Sequence, residues 1–355
     1  MKTESRILVA PNELKKLSVN ILTNYGLSSD HANIVADVLV RADLRGIESH
    51  GVSRLPIYIK RLKLGLIERS PIIKKVRDGP AFAVMDGGNG FGQIVTYMAM
   101  RETIEKAKKV GVGFVNVRNS NHFGMAAYYP MMALRQDMIG ICSTNAFPTM
   151  TPWGGLSPII GNNPLSIAVP TGRQAPFVLD MAMSVAARGK VRMAAQENRE
   201  IPTGWAVNEK GEATTDPIEA LKGFVLPIGG YKGYGLSLAM DMLSGVLAGG
   251  KFNGQLNSLY ANLKEPQGIC HFVVAIDISA FMEVKDFKTR MDNFVDQIKM
   301  SDLAKGVSKI YLPGELEHEK ENRRKHQGIP IPVSFWQDLQ KLEKNPDYEI
   351  PVSAR

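Results

Sequence analysis

The sequence has few cysteines, no long apolar run and no stretch of low complexity. Only Cys142 and Cys270 occur among its 355 residues, and neither lies at a CxxC or other metal-ligand spacing. We therefore expect buried, reduced thiols and neither a disulfide framework nor a bound metal. No apolar run reaches the ~18 residues of a membrane-spanning helix, and the N-terminus lacks a signal-peptide core. These absences predict a cytoplasmic protein that does not contact a membrane.

The positive charge of the chain is spread along its length. The formal net charge is +8, which favours anionic partners in general. The densest basic run, 319–325, also contains two glutamates and an asparagine, which is typical of a solvated helix face. No basic stripe with interleaved aromatic residues occurs, so nucleic acid is not an expected partner. Small carboxylates and phosphates are the remaining anions.

Apolar periodicity predicts helices first and an irregular mixture of helices and strands afterwards. Helices are expected at 11–26, at 28–46 and after Gly51, because apolar residues recur at three- and four-residue spacing. A glycine-rich loop is predicted at 229–235, followed by an apolar helix at 236–247. Strands are predicted at 82–85, 113–117, 138–143, 164–170, 177–180 and 271–276.

No Rossmann or Walker phosphate-binding sequence is present. The best approximation to G-x-G-x-x-G begins at Gly88, but its sixth position is Gln93. Regular strand–helix alternation, which a doubly wound parallel sheet requires, is also absent. The chain is therefore predicted to be an α/β protein with a mixed or largely antiparallel sheet.

Two histidines lie in polar segments suited to proton transfer. His50 follows Ser49 in the turn between two predicted helices, and Arg54 opens the second of them. Imidazole titrates near neutral pH, and guanidinium grips a carboxylate at two points. His122 follows Asn121 in a polar loop directly after a strand, where functional residues are common. The alternative to a catalytic role is that the polar side chains of these two segments only stabilise turns, with Arg54 in a surface ion pair.

Other loops are suited to a phosphate-containing ligand. The glycine-rich loop precedes a helix, so its free N–H groups and Lys232 are able to meet a phosphate. Asp180 ends an apolar strand, where it either binds a ligand or caps the following turn. Asn163 lies in a tight turn, and asparagine tolerates the left-handed conformation of such turns. A flexible turn packed beneath a helix is the alternative for the glycine-rich loop.

Seven stretches of this sequence, in order, resemble the type-2 malate/L-lactate dehydrogenase family. They lie at 42–55, 88–93, 118–124, 161–164, 179–190, 201–217 and 229–238. The resemblance implies an NAD(P)-dependent oxidoreductase that transfers a hydride between nicotinamide and C2 of a small 2-hydroxy or 2-oxo acid. It also implies a homodimer and a non-Rossmann cofactor domain at 76–304. Residues 1–75 plus 305–355 would form a mainly helical domain that carries part of the substrate site.

The same resemblance assigns roles to individual residues. His50 and His122 are the candidate proton donors or acceptors, with Ser49, Arg54, Asn121 and Asn163 as substrate contacts. The candidate cofactor contacts are Ala146, Asp180, Met181, Ala182, Tyr231, Lys232, Gly314, Glu315 and Leu316.

The sequence departs from the family at two of these motifs. G-T-N-P reads G-N-N-P at 161–164, and D-M-A-T-S reads D-M-A-M-S at 180–184. The acid that serves as substrate and the choice between NAD and NADP therefore stay open. A catalytically silent NAD(P)-binding protein is one alternative. A hydrolase that uses His50 with Ser49 or Ser53 is another, although the G-x-S-x-G turn is missing.

Overall fold

The computed structural model describes residues 5–350. The α-helices are α1 (Pro11–Asn24), α2 (Ser29–Leu44), α3 (Leu55–Lys63), α4 (Gly92–Val110), α5 (Pro130–Leu134), α6 (Arg188–Gln196), α7 (Pro217–Lys222), α8 (Tyr231–Asp241), α9 (Val284–Lys299), α10 (Glu315–Gln327) and α11 (Val333–Lys344). The strands are β1 (Arg6–Val9), β2 (Lys74–Asp78), β3 (Phe82–Asp86), β4 (Val112–Ser120), β5 (Met138–Thr144), β6 (Leu165–Val169), β7 (Phe177–Met181), β8 (Ala206–Val207), β9 (Ala213–Thr214), β10 (Phe224–Val225), β11 (Ile269–Asp277) and β12 (Ile329–Pro332). Every helix within 5–350 is too short or too polar to cross a lipid bilayer.

A seven-stranded sheet with the order β2-β3-β4-β11-β5-β6-β7 forms the centre of the molecule. Its neighbours are antiparallel except for β3 and β4, which are parallel. The predicted mixed sheet is therefore confirmed. β11 is almost continuously apolar, as expected of a strand with both faces buried. Its insertion between β4 and β5 brings the polar loops at the ends of these strands together.

The N- and C-terminal helices share one apolar core. Leu14, Ile21 and Leu39 from α1 and α2 pack in the same cluster as Leu339 and Leu342 from α11. The antiparallel pair β1–β12 also joins the two ends of the chain. The first two helices follow the predicted periodicity, and the Ser28 hydroxyl caps α2 by accepting the His31 N–H at 3.3 Å. This helical layer presents the turn between α2 and α3 toward the sheet.

The prediction of a glycine-rich loop at 229–235 is wrong for most of this segment. The helix begins already at Tyr231 and continues into a π-helical turn at Met242–Val246. Gly233 lies in the first turn of α8, where a Cβ atom would stand 1.9 Å from the carbonyl oxygen of Ile228. Glycine is thus used here for close backbone packing and not for a loop. Gly230, with φ of 66°, provides the sharp entry into the helix.

Candidate active site

A cavity of about 890 Å³ lies between the helical layer and the end of the sheet. This volume lies within the ordinary range of small-molecule sites. Its walls come from the α2–α3 turn, from the loops after β4 and β5, and from residues 184–192, 258–261 and 330–335. The residues that line it include Ser49, His50, Arg54, His122, Ala146, Arg188, Tyr260 and Gln267.

The two candidate histidines face each other in this cavity. The centroids of the His50 and His122 rings are 5.5 Å apart, and the rings are stacked at 19°. His50 ends the 3₁₀ turn Glu48–His50, and its Nδ1 lies 2.9 Å from the Ser49 hydroxyl. His122 follows β4. The structure therefore brings together the two polar segments that the sequence singled out separately.

The hydrogen bonds of His122 define which nitrogen carries the proton. Its Nδ1 lies 2.6 Å from the Tyr58 hydroxyl and 3.3 Å from the backbone N of Gly124. Since a backbone N–H only donates, Nδ1 is an acceptor and the neutral ring carries its proton on Nε2. The backbone N–H of His122 itself donates to Gln267 Oε1 at 3.0 Å. The ring is thus oriented through Nδ1, and Gln267 holds the backbone that carries it.

Both imidazoles are neutral near pH 7. Burial and the nearby Arg54 charge lower the pKa of His50 to about 3. Burial is also the main cause that lowers the pKa of His122 well below its usual range, with Arg54 next and with His50 and His271 contributing. A neutral imidazole is able to accept a proton from a hydroxyl group. Each histidine is therefore in the protonation state of a general base.

Arg54 lies beside the histidine pair, and one nitrogen of its guanidinium group makes no hydrogen bond within the described residues. Its Nε donates to the Ser49 carbonyl at 2.6 Å, and its Nη1 donates to the Tyr260 hydroxyl. The guanidinium also lies over the Tyr260 ring, 5.4 Å from the centroid. Its Nη2 makes no hydrogen bond within residues 5–350. This nitrogen is available for an anionic ligand.

Asn121 and Asn163 lie beside the cavity and not in its wall. The Asn121 amide nitrogen donates to the carbonyl of Gly90 at 2.9 Å. Asn163 accepts the Ala146 N–H at 2.9 Å, and its amide nitrogen donates to the Ser237 carbonyl at 2.9 Å. Both side chains are almost fully buried. Their observed contacts therefore hold neighbouring loops, with Asn163 joining the Ala146 loop to α8.

The candidate cofactor residues occupy three separate places. Ala146 lines the cavity. Asp180 and Met181 end β7, followed by Ala182. Gly314, which directly precedes Glu315 and Leu316 at the start of α10, packs against the same strand. There the Val178 N–H donates to the Pro313 carbonyl at 3.0 Å, and Asp180 accepts the Ala127 N–H at 3.0 Å. Tyr231 and Lys232 lie at the start of α8, where both side chains are exposed.

The start of α8 fits a phosphate group. This helix has no side-chain N-cap, so its first N–H groups have no capping acceptor, and Lys232 adds a positive charge. The preceding loop is joined to the cavity wall, because the Ile228 N–H donates to the Met183 carbonyl at 2.8 Å and Ser184 lines the cavity. The residues present are thus suited to a dinucleotide that extends from the cavity toward α8.

Sequence reasoning missed three residues that support this site. Tyr58 lies at an apolar position of α3, which gives no sign that its hydroxyl contacts His122. Tyr260 comes from a distant loop and carried no local signal. Asp43 is buried and accepts the Val52 N–H at 2.8 Å, which holds the turn between His50 and Arg54. The sequence does contain a signal for Asp43: it is an acidic residue on the buried face of α2, four residues after Leu39.

A search against protein-family models matches the malate/L-lactate dehydrogenase family over residues 9–340. The chain belongs to this family. The resemblance inferred from the seven motifs is therefore confirmed, and the chain is a dehydrogenase of the 2-hydroxy-acid type.

Three relatives illustrate the range of this family. Malate dehydrogenase from Pyrococcus abyssi is 43% identical over 349 residues, which is 96% of this chain and 95% of that protein. L-sulfolactate dehydrogenase from Methanocaldococcus jannaschii is 44% identical over 336 residues, covering 95% and 96% of the two chains. A solved structure of sulfolactate dehydrogenase from the same organism has a TM-score of 0.90 over 95% of this chain and 96% of that one. Ureidoglycolate dehydrogenase (NAD(+)) from Escherichia coli is 34% identical, covering 93% and 94%.

Proposed function

We propose that this chain oxidises or reduces a small 2-hydroxy or 2-oxo acid at C2, with NAD(P) as the hydride carrier. The observation that carries the proposal is the stacked pair His50 and His122 beside Arg54 in one cavity. Nearly full-length similarity to malate and sulfolactate dehydrogenases supports it. The nicotinamide ring, when bound, supplies the hydride chemistry. The protein supplies orientation and a path for the proton.

Arg54 binds the substrate carboxylate in this mechanism. Its unused Nη2 points to a charge-assisted hydrogen bond, and Tyr260 restrains the same guanidinium group. A carboxylate held there limits the rotation of the attached C2 carbon. Positioning of this kind supplies a large part of the rate enhancement in two-substrate reactions. Ser49, which hydrogen-bonds His50, contributes a further polar contact to the substrate side of the cavity.

One histidine takes the hydroxyl proton during oxidation and returns it during reduction. Both rings are neutral in the free protein because of burial and the Arg54 charge. A substrate carboxylate at Arg54 offsets that charge, so binding raises the histidine pKa and favours proton acceptance. Substrate binding thereby prepares the base. His50 and His122 are both candidates for this role, and the two single variants decide between them.

We propose NAD as the carrier, because the ureidoglycolate dehydrogenase relative is named for NAD(+). Lys232, the start of α8 and the Ala146 loop would hold it, with residues 180–182 and 314–316 as further contacts. All of these segments lie within the cofactor domain of the predicted division, 76–304, except 314–316, which fall in the predicted mainly helical domain. The mainly helical domain, 1–75 plus 305–355, would contribute His50 and Arg54.

We propose a substrate with two acidic groups. Arg188 lines the wall together with the histidines, and burial and the neighbouring Arg192 lower its pKa. Arg54 and Arg188 are two of the four arginines that line the cavity, and two cationic positions would suit a diacid such as malate or sulfolactate better than lactate. The variant Arg188→Met is expected to raise KM for malate and to leave KM for lactate unchanged. Equal effects on both acids would contradict this assignment.

A homodimer is also proposed, through the exposed apolar side of α8 and its π-helical extension. Leu236, Met242, Val246 and Leu247 are all exposed there, and clustered exposed apolar residues mark association surfaces. Light scattering after gel filtration should give twice the chain mass for the wild type and for Val110→Glu, an isolated exposed valine. Val246→Glu is expected to be a monomer. A monomeric wild type would contradict the proposal.

Absorbance of the reduced nicotinamide tests the main proposal. NAD and NADP are each offered with malate, sulfolactate, lactate and ureidoglycolate, and the reduced forms with the 2-oxo acids. Turnover that is lost in His50→Gln or His122→Gln supports the mechanism, and wild-type turnover in both variants would refute it. Cofactor binding without turnover of any acid would favour the catalytically silent alternative.

A further inference from the structure

A buried arginine outside the cavity holds the loop that covers the site. Arg61 in α3 is fully buried and has no carboxylate partner within residues 5–350. Its guanidinium group instead donates to three backbone carbonyls of one loop, Leu259 at 3.3 Å, Asn262 at 2.7 Å and Glu265 at 2.9 Å. Burial lowers the pKa of Arg61 to about 10, so the group stays charged at neutral pH. Burying a charge is costly, and hydrogen bonds to three carbonyls of one loop offset that cost and hold the loop in place.

The loop at 257–267 is closed at its base and braced inside. The Asn257 N–H donates to the Gln267 carbonyl at 3.1 Å. The Asn262 amide nitrogen donates to Asn257 Oδ1 at 2.9 Å. With the carbonyl contacts of Arg61, the loop is thus held at its base and along its length.

Residues of this loop contact both Arg54 and His122. Its Tyr260 hydroxyl accepts from Arg54, and the Tyr260 ring lies against the same guanidinium. Its Gln267 Oε1 accepts the backbone N–H of His122 at 3.0 Å. Arg61 therefore reaches the carboxylate-binding residue and a candidate base through a single segment, although it touches neither.

We infer that Arg61 is a positioning residue for the dehydrogenase reaction, acting on Arg54 and His122 through the 257–267 loop. This inference rests on the proposed function. A planar guanidinium is able to serve three carbonyls at once, whereas a lysine ammonium is a compact point charge at the end of a flexible chain. Removing the anchor should release Tyr260 first, because it lies between two of the anchored carbonyls.

The test compares Arg61→Lys with the wild type by steady-state kinetics on the acid that the wild type turns over. KM for the acid is expected to rise about tenfold, the factor that corresponds to ~1.4 kcal/mol, with a smaller fall in kcat and no change in KM for the cofactor. Lys106→Met is the control for loss of a buried cation, since Lys106 pairs with Asp78 away from the cavity. This control should lower Tm and leave both KM values unchanged.

A double-mutant cycle with Tyr260→Phe separates positioning from general destabilisation. Because Arg61 acts in part through Tyr260, Arg61→Lys should raise KM less in the Tyr260→Phe background than in the wild type. Full additivity of the two effects, or a KM for the acid within twofold of the wild type in Arg61→Lys, would overturn the inference. Absence of wild-type turnover would instead overturn the proposed function.

A second variant loosens the same loop without disturbing the core. Asn257→Ala removes the side-chain hydrogen bonds of Asn257 to Asn262, Glu265 and Pro266 within the loop. It should raise KM for the acid in the same direction as Arg61→Lys. If Arg61→Lys does not fold, an unchanged KM in Asn257→Ala overturns the inference.

Discussion

The Tyr58 hydroxyl provides a quantitative test of the histidine geometry. Tyr58 is 1% exposed, and its hydroxyl lies 2.6 Å from His122 Nδ1. In Tyr58→Phe, the Gly124 N–H at 3.3 Å would be the one remaining donor to that nitrogen. A neutral hydrogen bond contributes about 1 kcal/mol net. If the bond orients the reacting tautomer, its loss should lower kcat by about fivefold.

KM for the acid should change little in Tyr58→Phe, because Arg54 keeps its bonds to Ser49 and Tyr260. The assay is initial-rate absorbance of the reduced nicotinamide across a range of acid concentrations, with Tm measured in parallel. Tyr128→Phe is a matched control, since its hydroxyl binds Asp37 at 2.7 Å outside the catalytic cavity. A kcat within twofold of the wild type, or a loss confined to KM, would refute the reasoning.

Three further predictions concern substrate binding, pH and packing. Arg54→Met should raise KM for the acid by roughly 10- to 100-fold, since a charge-assisted bond contributes about 1.5–3 kcal/mol; an unchanged KM would exclude Arg54 as the carboxylate contact. Burial and Glu48 raise the pKa of Asp43 to about 8, so its contribution to stability is full below its unfolded value of about 3.9 and is lost as pH rises toward 8. Relative to the wild type, Asp43→Asn should therefore gain up to about 4 kcal/mol in unfolding free energy between pH 5 and pH 8, and a constant difference in denaturant titrations would contradict this. Gly314 has φ of 89°, and a Cβ there would lie 2.8 Å from Val178. Gly314→Ala should therefore lower Tm and weaken cofactor binding. Wild-type values of both would argue against close packing at this turn.

Local patterns in the sequence were sufficient for the first helices and for six of the seven strands of the central sheet. Leu14, Leu17 and Ile21 share one buried face of α1, and the structure confirms that face. The strand prediction at 271–276 lies within β11. The glycine-rich segment was the main error, because glycine at 233 and 235 suggested a loop. The backbone at Gly233 packs so closely on Ile228 that glycine is required at this position of the helix.

The site was only partly predictable. His50, Arg54 and His122 stood out because polar residues cluster in short turns between apolar elements, and the structure places all three in one cavity. Tyr58 and Asp43 did not stand out, because each occupies a position in a helix that periodicity assigns to the core. Tyr260 and Gln267 were invisible in the sequence, since their partners lie more than a hundred residues away along the chain.

The sequence by itself thus determined the family, the mixed α/β class and the two histidine turns, because each depends on short motifs or on local apolar spacing. Only the tertiary structure decided the rest. The insertion of β11 between β4 and β5 aligns their ends. The 257–267 loop, which Arg61 holds through hydrogen bonds, contacts Arg54 and His122 there. These arrangements arise from contacts between distant segments, whose pairing depends on the burial of whole elements and not on the spacing of residues within any one of them.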